Sequence, residues 1–270
     1  MKYIRKGIYV LAFIGIFICI LFFANNYIVT DRISINGNGL VDDLKVMHLS
    51  DLHNKIIENP FSSFSSKIKK NKPDIILITG DVITSNRDES LKYIEYLKRC
   101  FEGIPVFYVN GNHEYSDYAF LNVFNKKMKE YGFVCLDGIG KTISVRGKRI
   151  YLAGLRDPNS YEVNIESMIS KRIQELESDE KVYKILLSHR AEYTPIYNES
   201  NFDLILCGHA HGGVIGIPFT NRGLYATGEG FFPKYVKGLH KKTYISRGLG
   251  GSRFFTRLFN HPQISLITIF

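Results

Sequence analysis

Five short polar clusters occur along this chain of 270 residues, each directly after an apolar run. In chain order they are Asp51-Leu52-His53, Gly80-Asp81, Gly111-Asn112-His113-Glu114, Ser188-His189-Arg190 and Gly208-His209-Ala210-His211. The apolar runs are short and rich in β-branched residues, as buried strands are. Carboxylates, an amide and imidazoles at five strand ends provide enough oxygen and nitrogen ligands for two metal ions. The pattern therefore predicts strand ends that bring these side chains to one place, as a two-metal catalytic centre requires.

Six apolar runs are predicted as buried strands, with helices between several of them. The strands are Leu44–Leu49, Ile75–Thr79, Pro105–Val109, Ile150–Ala153, Val182–Leu187 and Leu204–Cys207. The helices are Pro60–Asn71, Asp88–Cys100, Asp117–Tyr131 and Ile165–Glu177. Alternation of strand and helix predicts a partly parallel sheet, which binds ligands at the carboxyl ends of its strands. After Gly212, short β segments at Gly223–Thr227, Tyr244–Arg247 and Ile264–Ile269 predict an antiparallel finish to a single domain.

The composition is that of a globular protein, with 45% hydrophobic and 23% charged residues. The net charge of +9 suits an anionic substrate or an anionic surface. The cysteines at positions 19, 100, 135 and 207 form no CxxC pair and no zinc spacing with histidine. We expect free, mostly buried thiols, although the sequence alone leaves a Cys100–Cys135 disulfide open.

An uncharged apolar segment near the N-terminus predicts a membrane anchor. Residues 1–6 carry three positive charges, and residues 7–24 carry none. A helix over residues 7–24 would be about 27 Å long, close to the roughly 30 Å hydrocarbon core of a bilayer. Residues 1–6 would then be cytoplasmic, and residues 25–270 would form a catalytic domain on the outer face of the cell membrane. The alternative is a cleaved secretory signal, but the run is long for one and residues 22–26 lack an A-x-A cleavage site.

From about Ile28 onward, the five clusters in this order resemble the calcineurin-like metallophosphoesterase family. The spacings of Gly111-Asn112-His113-Glu114 and Gly208-His209-Ala210-His211 are the most specific part of the match. Residues 208–213 and 244–250 resemble the membrane-associated YkuE/YaeI branch, which includes enzymes acting on lipid-linked pyrophosphates. The resemblance implies an α/β fold with a two-layered mixed β-sheet sandwich flanked by α-helices. Here one N-terminal transmembrane helix would precede it.

The same resemblance implies a role for each cluster. Two divalent ions would be held by seven side chains: Asp51, His53 and His211 on one ion, Asn112, His189 and His209 on the other, and Asp81 on both. A bridging carboxylate agrees with the chemistry, because its two oxygens can join ions about 3.5–4 Å apart. The mixed nitrogen and oxygen ligands suit manganese, iron, zinc or cobalt, and affinity order does not choose among them.

Two residues beside the ligands have open roles. The family makes His113 the proton donor to the leaving oxygen or a stabiliser of the transition state, and the alternative is that it orients a ligand. In relatives, an aspartate often follows the bridging aspartate by three positions and supports this histidine. Thr84 occupies that position here, which leaves the acid role of His113 open. Arg190 could bind a second phosphate through paired hydrogen bonds, or it could be a solvated loop charge.

The function implied is that of a metal-dependent phosphohydrolase of the phosphodiesterase or pyrophosphatase type. Attack by a hydroxide that bridges the two ions would cleave a phosphorylated small molecule or a lipid-linked or cell-envelope substrate. The sequence holds no nucleophile elbow or P-loop. A nuclease of the same fold is the alternative, but a dense basic stripe with stacking aromatics is lacking, so nucleic acid is not an expected partner. A metal-free scaffold is less consistent with seven filled ligand positions.

Overall fold

Two six-stranded β-sheets lie face to face at the centre of the protein, and helices cover their outer faces. The computed structural model describes residues 2–39, 43–158, 164–251 and 256–270. In these ranges the helices are α1 Lys2–Asn26, α2 Phe64–Asn71, α3 Arg87–Cys100, α4 Asn112–Tyr115, α5 Tyr118–Glu130, α6 Ile165–Leu176 and α7 Thr194–Tyr197. The strands are β1 Val29–Ile35, β2 Leu44–Leu49, β3 Glu58–Asn59, β4 Ser62–Ser63, β5 Ile75–Thr79, β6 Val106–Val109, β7 Val134–Cys135, β8 Ile139–Val145, β9 Lys148–Gly154, β10 Tyr183–Arg190, β11 Leu204–Gly208, β12 Tyr225–Ala226, β13 Gly230–Phe231, β14 Gly238–His240, β15 Thr243–Ile245 and β16 Gln263–Ile269. The predicted two-layered α/β sandwich is confirmed.

Most strands of both sheets run in parallel. The first sheet has the order β1-β16-β2-β5-β6-β7, and the second has the order β14-β15-β11-β10-β9-β8. In the first sheet β2, β5, β6 and β7 are parallel, and β16 is antiparallel to β2 but parallel to β1. In the second sheet β9, β10, β11 and β15 are parallel, with antiparallel strands β8 and β14 at the edges. The carboxyl ends of the parallel strands in each sheet therefore share one edge.

Strand β5 shows why these runs are apolar throughout. Ile76 and Ile78 pack in a core with α2, α3 and α5, while Ile75 and Leu77 pack in the core between the two sheets. Strand β10 alternates in the same way between the second sheet's inner face and the α6 side. Strands covered on both faces read as continuous apolar runs. These buried strands hold their carboxyl ends, and the polar clusters that follow, in fixed positions.

Several predicted elements need correction. The helix predicted over Pro60–Asn71 begins at Phe64, because β3 and β4 pair as a hairpin and Ser63 caps the helix by accepting from the Ser66 N–H. Strands β1 and β8 are partly exposed and lack the continuous apolar run that predicts a buried strand. The antiparallel finish is wrong for β15, which pairs in parallel with β11. The four cysteines are free, as expected.

Helix α1 is 25 residues long and exposes most of its apolar side chains. An 18-residue window within its segment Arg5–Asn26 has a mean hydropathy of 2.8, and only 6% of that window is buried. The helix is long and apolar enough to span a membrane, a property that signal sequences share. It extends past both predicted ends of the anchor, residues 7 and 24. The bounds 1–6, 7–24 and 25–270 stay predictions.

Candidate metal centre

The ends of five parallel strands bring the seven predicted ligands together. Asp51 and His53 follow β2, Asp81 follows β5, Asn112 follows β6, His189 lies near the end of β10, and His209 and His211 follow β11. Potential ligand atoms lie within 4.8 Å of one another in three groups: Asp51, His53 and His211; His53, Asp81 and His113; and Asp81, His189 and His209. The first sheet contributes four of the seven residues and the second sheet three. The cluster therefore joins the two sheets at one rim.

The first half of the cluster contains Asp51, His53 and His211. The Nε2 atoms of His53 and His211 are 3.2 Å apart, and their rings are stacked with centroids 5.1 Å apart. Asp51 Oδ1 lies 3.7 Å from His211 Nε2. Asp51 is fully buried, and its carboxylate also accepts from the backbone N–H of His209. One carboxylate oxygen and two imidazole nitrogens thus face a common point.

The second half contains Asn112, His189 and His209. His189 Nε2 lies 3.0 Å from Asn112 Oδ1 and 3.1 Å from His209 Nδ1. Asp81 lies between the halves, with Oδ2 3.7 Å from His53 Nε2 and Oδ1 3.4 Å from His189 Nε2. One oxygen of Asp81 therefore faces each half. A carboxylate in this position is able to bridge two ions.

The chemistry of these groups fits bound cations. Nitrogen and oxygen atoms of several residues converge at 3.0–3.2 Å. Such atoms repel one another unless a proton or a cation lies between them. Histidine, aspartate and asparagine together are the donor set of borderline divalent metals. The residues present are thus suited to hold metal ions. Because they form two halves, they could hold two ions, one in each half.

Burial keeps most of the imidazoles neutral. It lowers the pKa of His53 to about 4, and it lowers the pKa values of His209 and His211 well below the ordinary value. Neutral imidazole is the form in which histidine binds a metal ion. At neutral pH these three side chains are therefore ready to coordinate.

Asp81 and His189 form a strongly coupled buried pair. Burial alone would raise the pKa of the Asp81 carboxyl, but His189 beside it holds that pKa well below its usual range. Burial alone would lower the pKa of His189, but the Asp81 carboxylate outweighs it and raises that pKa well above the ordinary value. The Asp81 carboxylate thus favours a positive charge beside it. A metal ion there would take the place of the imidazolium proton.

The backbone turns sharply at five of the seven ligand positions. Positive φ angles occur at Asp51 (50°), His53 (47°), Asp81 (52°), His209 (67°) and His211 (47°). Side chains rarely adopt this left-handed region, and each case costs about 1–3 kcal/mol unless its surroundings compensate. Strain of this kind concentrates at functional sites. The surrounding fold must therefore hold these loops in place.

Glu114 is a site residue whose role the motif alone did not reveal. It is 1% exposed, and its carboxylate accepts hydrogen bonds from the backbone N–H groups of Asp81 (2.9 Å), Ile83 (3.0 Å) and Gly111 (2.7 Å). Burial, followed by the charge of Asp81, raises the pKa of Glu114 to about 7. Glu114 ties the loop after β5 to the loop after β6. Its position as the last residue of the third cluster was the available signal.

His113 lies on the wall of a cavity of about 530 Å³ that opens beside the ligands. Its Nε2 is 3.9 Å from Asp81 Oδ2, its ring centroid is 4.6 Å from that of His53, and its side chain is 34% exposed. The backbone N–H of His113 donates to Asp81 Oδ1. Thr84 also lines the cavity, but its Oγ1 accepts from Asn54 Nδ2 at 2.9 Å. His113 is thus accessible to a ligand in the cavity, as a proton donor must be.

Arg190, a candidate phosphate-binding residue, lies beside two carboxylates. Its Nε and Nη2 donate to the Asp157 carboxylate at 3.0–3.2 Å, and its Nη1 lies 3.5 Å from Glu192 Oε1. The side chain is only 17% exposed. Because all three guanidinium nitrogens face carboxylates, few donors are left for a second phosphate. Arg190 thus forms an internal ion pair, and its contact with a second phosphate stays a prediction.

A family model described as calcineurin-like phosphoesterase matches residues 44–213, a span that contains all seven predicted ligands and His113. The chain belongs to the calcineurin-like phosphoesterase family. The general function of that family is the hydrolysis of phosphate esters, and its members depend on metal ions for this activity. The predicted family is confirmed.

Three bacterial proteins similar to the chain are named as metallophosphoesterases or as a phosphodiesterase. The chain is 30% identical over 240 residues to an uncharacterized metallophosphoesterase of Aquifex aeolicus, covering 84% of this chain and 85% of the relative. It is 28% identical over 244 residues to one of Campylobacter jejuni, covering 85% of this chain but only 60% of the relative. It is 26% identical over 248 residues to phosphodiesterase YaeI of Escherichia coli, covering 83% and 82%. The chain thus spans about three fifths of the Campylobacter protein's length, and the membrane-associated branch stays a prediction.

Proposed function

We propose that the protein is a two-metal hydrolase that cleaves a phosphodiester or pyrophosphate bond in a lipid-linked or other cell-envelope substrate. The observation that carries the proposal is the position of Asp81, whose two carboxylate oxygens face separate groups of ligands. A metal-free scaffold would have no use for this convergence of buried ligand atoms. The net charge of +9 and the apolar helix α1 support an anionic substrate near a membrane.

The protein's own residues divide the chemical work. When bound, divalent ions would neutralise phosphate oxygens and lower the pKa of a water molecule. His113, on the cavity wall, would hold a proton on Nε2 for the leaving oxygen. Asp81 and Glu114 hold the loops around the centre, because the Asp81 carboxylate accepts from His113 N and Glu114 accepts from three backbone N–H groups. Positioning and proton transfer are thus assigned to different side chains.

Activity measurements on the full-length protein in detergent test the proposal. With Mn²⁺ we expect turnover of bis(4-nitrophenyl) phosphate or of a polyprenyl pyrophosphate, and weaker turnover of 4-nitrophenyl phosphate and single-stranded DNA. Asp81→Asn should lose bound Mn²⁺ together with activity. His113→Ala should keep its Mn²⁺ and lose roughly 10²–10⁴-fold in kcat. Wild-type turnover by a metal-free Asp81→Asn protein would refute the proposal, and so would cleavage of DNA alone.

We also propose that α1 spans the cell membrane once, with the catalytic domain on the outer face. Its exposed apolar surface and the basic residues Arg5 and Lys6 near its start support this orientation. A C-terminal epitope tag in intact cells should be removed by added protease, while a cytoplasmic control protein stays intact. Protection of the tag would place the domain inside the cell. Release of the domain into the medium would identify α1 as a cleaved signal.

A further inference from the structure

Arg257 is the largest side chain that is fully buried in the described part of the protein, with 1% of it exposed. Burial lowers its pKa to about 10, so it still carries its positive charge at neutral pH. In the described ranges it forms no ion pair with a carboxylate. Burying a charged group is costly unless its donors find acceptors. The acceptors that Arg257 uses therefore indicate what it holds in place.

The guanidinium of Arg257 holds one turn of the chain, residues 247–250. Its Nη2 donates to the carbonyl oxygens of Gly250 at 2.5 Å and Arg247 at 2.7 Å. Its Nε donates to Gly250 O at 3.0 Å. These hydrogen bonds from a charged donor to buried carbonyls are stronger than neutral ones. Removing the donor would take these hydrogen bonds from two carbonyl groups of the turn, those of Arg247 and Gly250.

This turn packs against the strand end that carries Asp51. The Gly250 N–H donates to Asp51 O at 2.6 Å, and the Leu249 N–H donates to Ser50 O at 3.0 Å. Gly248 has a φ of 72°, and a Cβ there would lie 2.7 Å from the Cβ of Asp51. The turn thus contacts Asp51 through both backbone and side chain. Any shift of the turn would move this predicted ligand.

Arg257 also lies against His211, a second predicted ligand. Its Nη2 is 3.4 Å from His211 Nδ1, and its Nη1 is 3.5 Å from Asn260 O. Asn260 Nδ2 in turn donates to His211 O at 2.7 Å and to Val214 O at 3.0 Å. Asn260 therefore fixes the backbone of His211, while Arg257 packs beside its ring. Both residues act on the first half of the metal centre.

The last turn of α1 fixes the backbone of Arg257. Asn25 Nδ2 donates to Arg257 O at 3.0 Å, and the Arg257 N–H donates to Asn25 Oδ1 at 3.0 Å. This reciprocal pair joins residues 232 positions apart in the chain. The end of the helix is thus connected through Arg257 to the turn beside Asp51 and to His211.

We propose that Asn25, Arg257 and Asn260 form a clamp that positions the half of the metal centre made by Asp51, His53 and His211. Metal affinity in that half then depends on the attachment of α1 to the domain. The inference rests on the proposed two-metal site. The described contacts of the three clamp residues do not include Asn112, His189 or His209, so the second half should be independent of the clamp.

Mn²⁺ titration calorimetry of the full-length protein in detergent tests the clamp. The wild type should bind two ions. Arg257→Lys keeps the charge but loses the fork of donors, so one ion should bind about 10- to 100-fold more weakly and the other unchanged. Asn25→Ala should weaken the same ion by a smaller factor, and the neighbouring change Asn26→Ala should have no effect. Equal weakening of both ions, or of neither, would overturn the clamp.

A double-mutant comparison identifies the half that the clamp serves. In a His209→Ala background, Arg257→Lys should still weaken the remaining ion by about 10- to 100-fold. In a His211→Ala background it should change the remaining ion by less than twofold. If Arg257→Lys instead weakens the remaining ion only in the His211→Ala background, Arg257 acts on the second half of the metal centre and the proposal is refuted.

A stability control separates positioning from general loosening of the fold. Tyr151→Phe removes a buried hydrogen bond to Leu176 O at 2.8 Å, on the α6 side of the second sheet. It should lower the unfolding temperature while both Mn²⁺ affinities stay the same. If it weakens one ion as Arg257→Lys does, Arg257 has only a structural role. A wild type that binds no Mn²⁺ would refute the proposed function itself. If the wild type and Arg257→Lys each bind two ions, and the variant binds both as tightly as the wild type does, only the clamp is refuted.

Discussion

Asp51, Asp81 and His209 each adopt a left-handed backbone conformation just after a strand. Positive φ ends the extended chain abruptly and lets the ligand side chain stay close to the strand end. The space around these turns is crowded, so such a turn is possible only where the neighbouring residues are small. A Cβ at Gly111 would overlap Asp81 Oδ1, and one at Gly208 would overlap Ser50 Oγ. At the scale of single residues, glycines without catalytic chemistry therefore determine where the ligands lie.

Replacing Gly111 should remove the bridging position. In Gly111→Ala, the new Cβ would also lie 2.6 Å from Asp81 N and 2.9 Å from His189 Cε1, so Asp81 must move. We expect the content of bound manganese to fall from two ions per chain to one or none, measured by elemental analysis. Gly251→Ala is the control, since its Cβ would have no neighbour within 4 Å. Two ions in Gly111→Ala would show that the site tolerates the crowding.

The convergence of the candidate ligands could be predicted from the sequence, but the partners of arginines could not. Metal binding restricts a position to a few residue types, so Asp51 or His211 is recognisable in its cluster. An arginine finds its acceptors only after the chain has folded. Arg190 pairs with Asp157, 33 positions away, and Arg257 donates to backbone carbonyls, which no sequence pattern marks. The same limit hides φ angles, which depend on tertiary packing.

At the scale of elements, β2 presents one polar side chain to the core between the sheets. His48 is fully buried, and its Nε2 lies 2.8 Å from Thr79 Oγ1 on β5. Its Nδ1 has no hydrogen-bond partner among the described residues. Burial lowers the pKa of His48 to about 3. The strand pair thus holds a histidine that stays neutral in the folded protein.

Acid should destabilise the protein partly through His48. The folded state keeps this imidazole unprotonated down to about pH 3, whereas the unfolded state protonates it below about pH 6.5. The unfolded state therefore binds the extra proton, and the free energy of unfolding falls as pH decreases through this window. Between pH 5.5 and 4, His48→Gln should reduce the slope of the free energy of unfolding against pH by about 1.4 kcal/mol per pH unit. Urea unfolding in the presence of a chelator measures it, and an unchanged slope would contradict the burial of a neutral His48.

Element boundaries were predictable for two strands with both faces buried, whereas β10, predicted as Val182–Leu187, begins one residue later and ends three residues later. The apolar runs of β2 and β5 coincide with the observed strands residue for residue. The start of α2 was not predictable, because the residues before it pair as β3 and β4. Direction was also hidden for β15, since a three-residue strand has the same composition whether it pairs in parallel or not. Continuous burial leaves a signal in the sequence, and local pairing of short segments does not.

At the scale of the whole molecule, metal ions should contribute to stability because they bind the folded state. Mn²⁺ at 100 times its dissociation constant would add about 2.7 kcal/mol per ion. For a chain of this size that corresponds to about 5–10 °C in unfolding temperature. We expect the chelator EDTA to lower the unfolding temperature of the wild type and of His113→Ala by this amount for each ion that it removes.

Asp81→Asn provides the comparison for this experiment. Because Asp81 faces both halves of the centre, the variant should bind neither ion well, and its unfolding temperature should respond little to EDTA or to added Mn²⁺. Differential scanning fluorimetry detects the difference. An equal EDTA effect in Asp81→Asn and the wild type would mean that the stabilising ions bind elsewhere.

The position of β16 between β1 and β2 has a consequence for biosynthesis. In the described ranges β1 pairs only with β16, so residues 29–35 have no sheet partner until residues 263–269 have left the ribosome. Asn25 likewise waits for Arg257. A nascent chain would therefore carry an unfinished first sheet until residues 263–269 emerge.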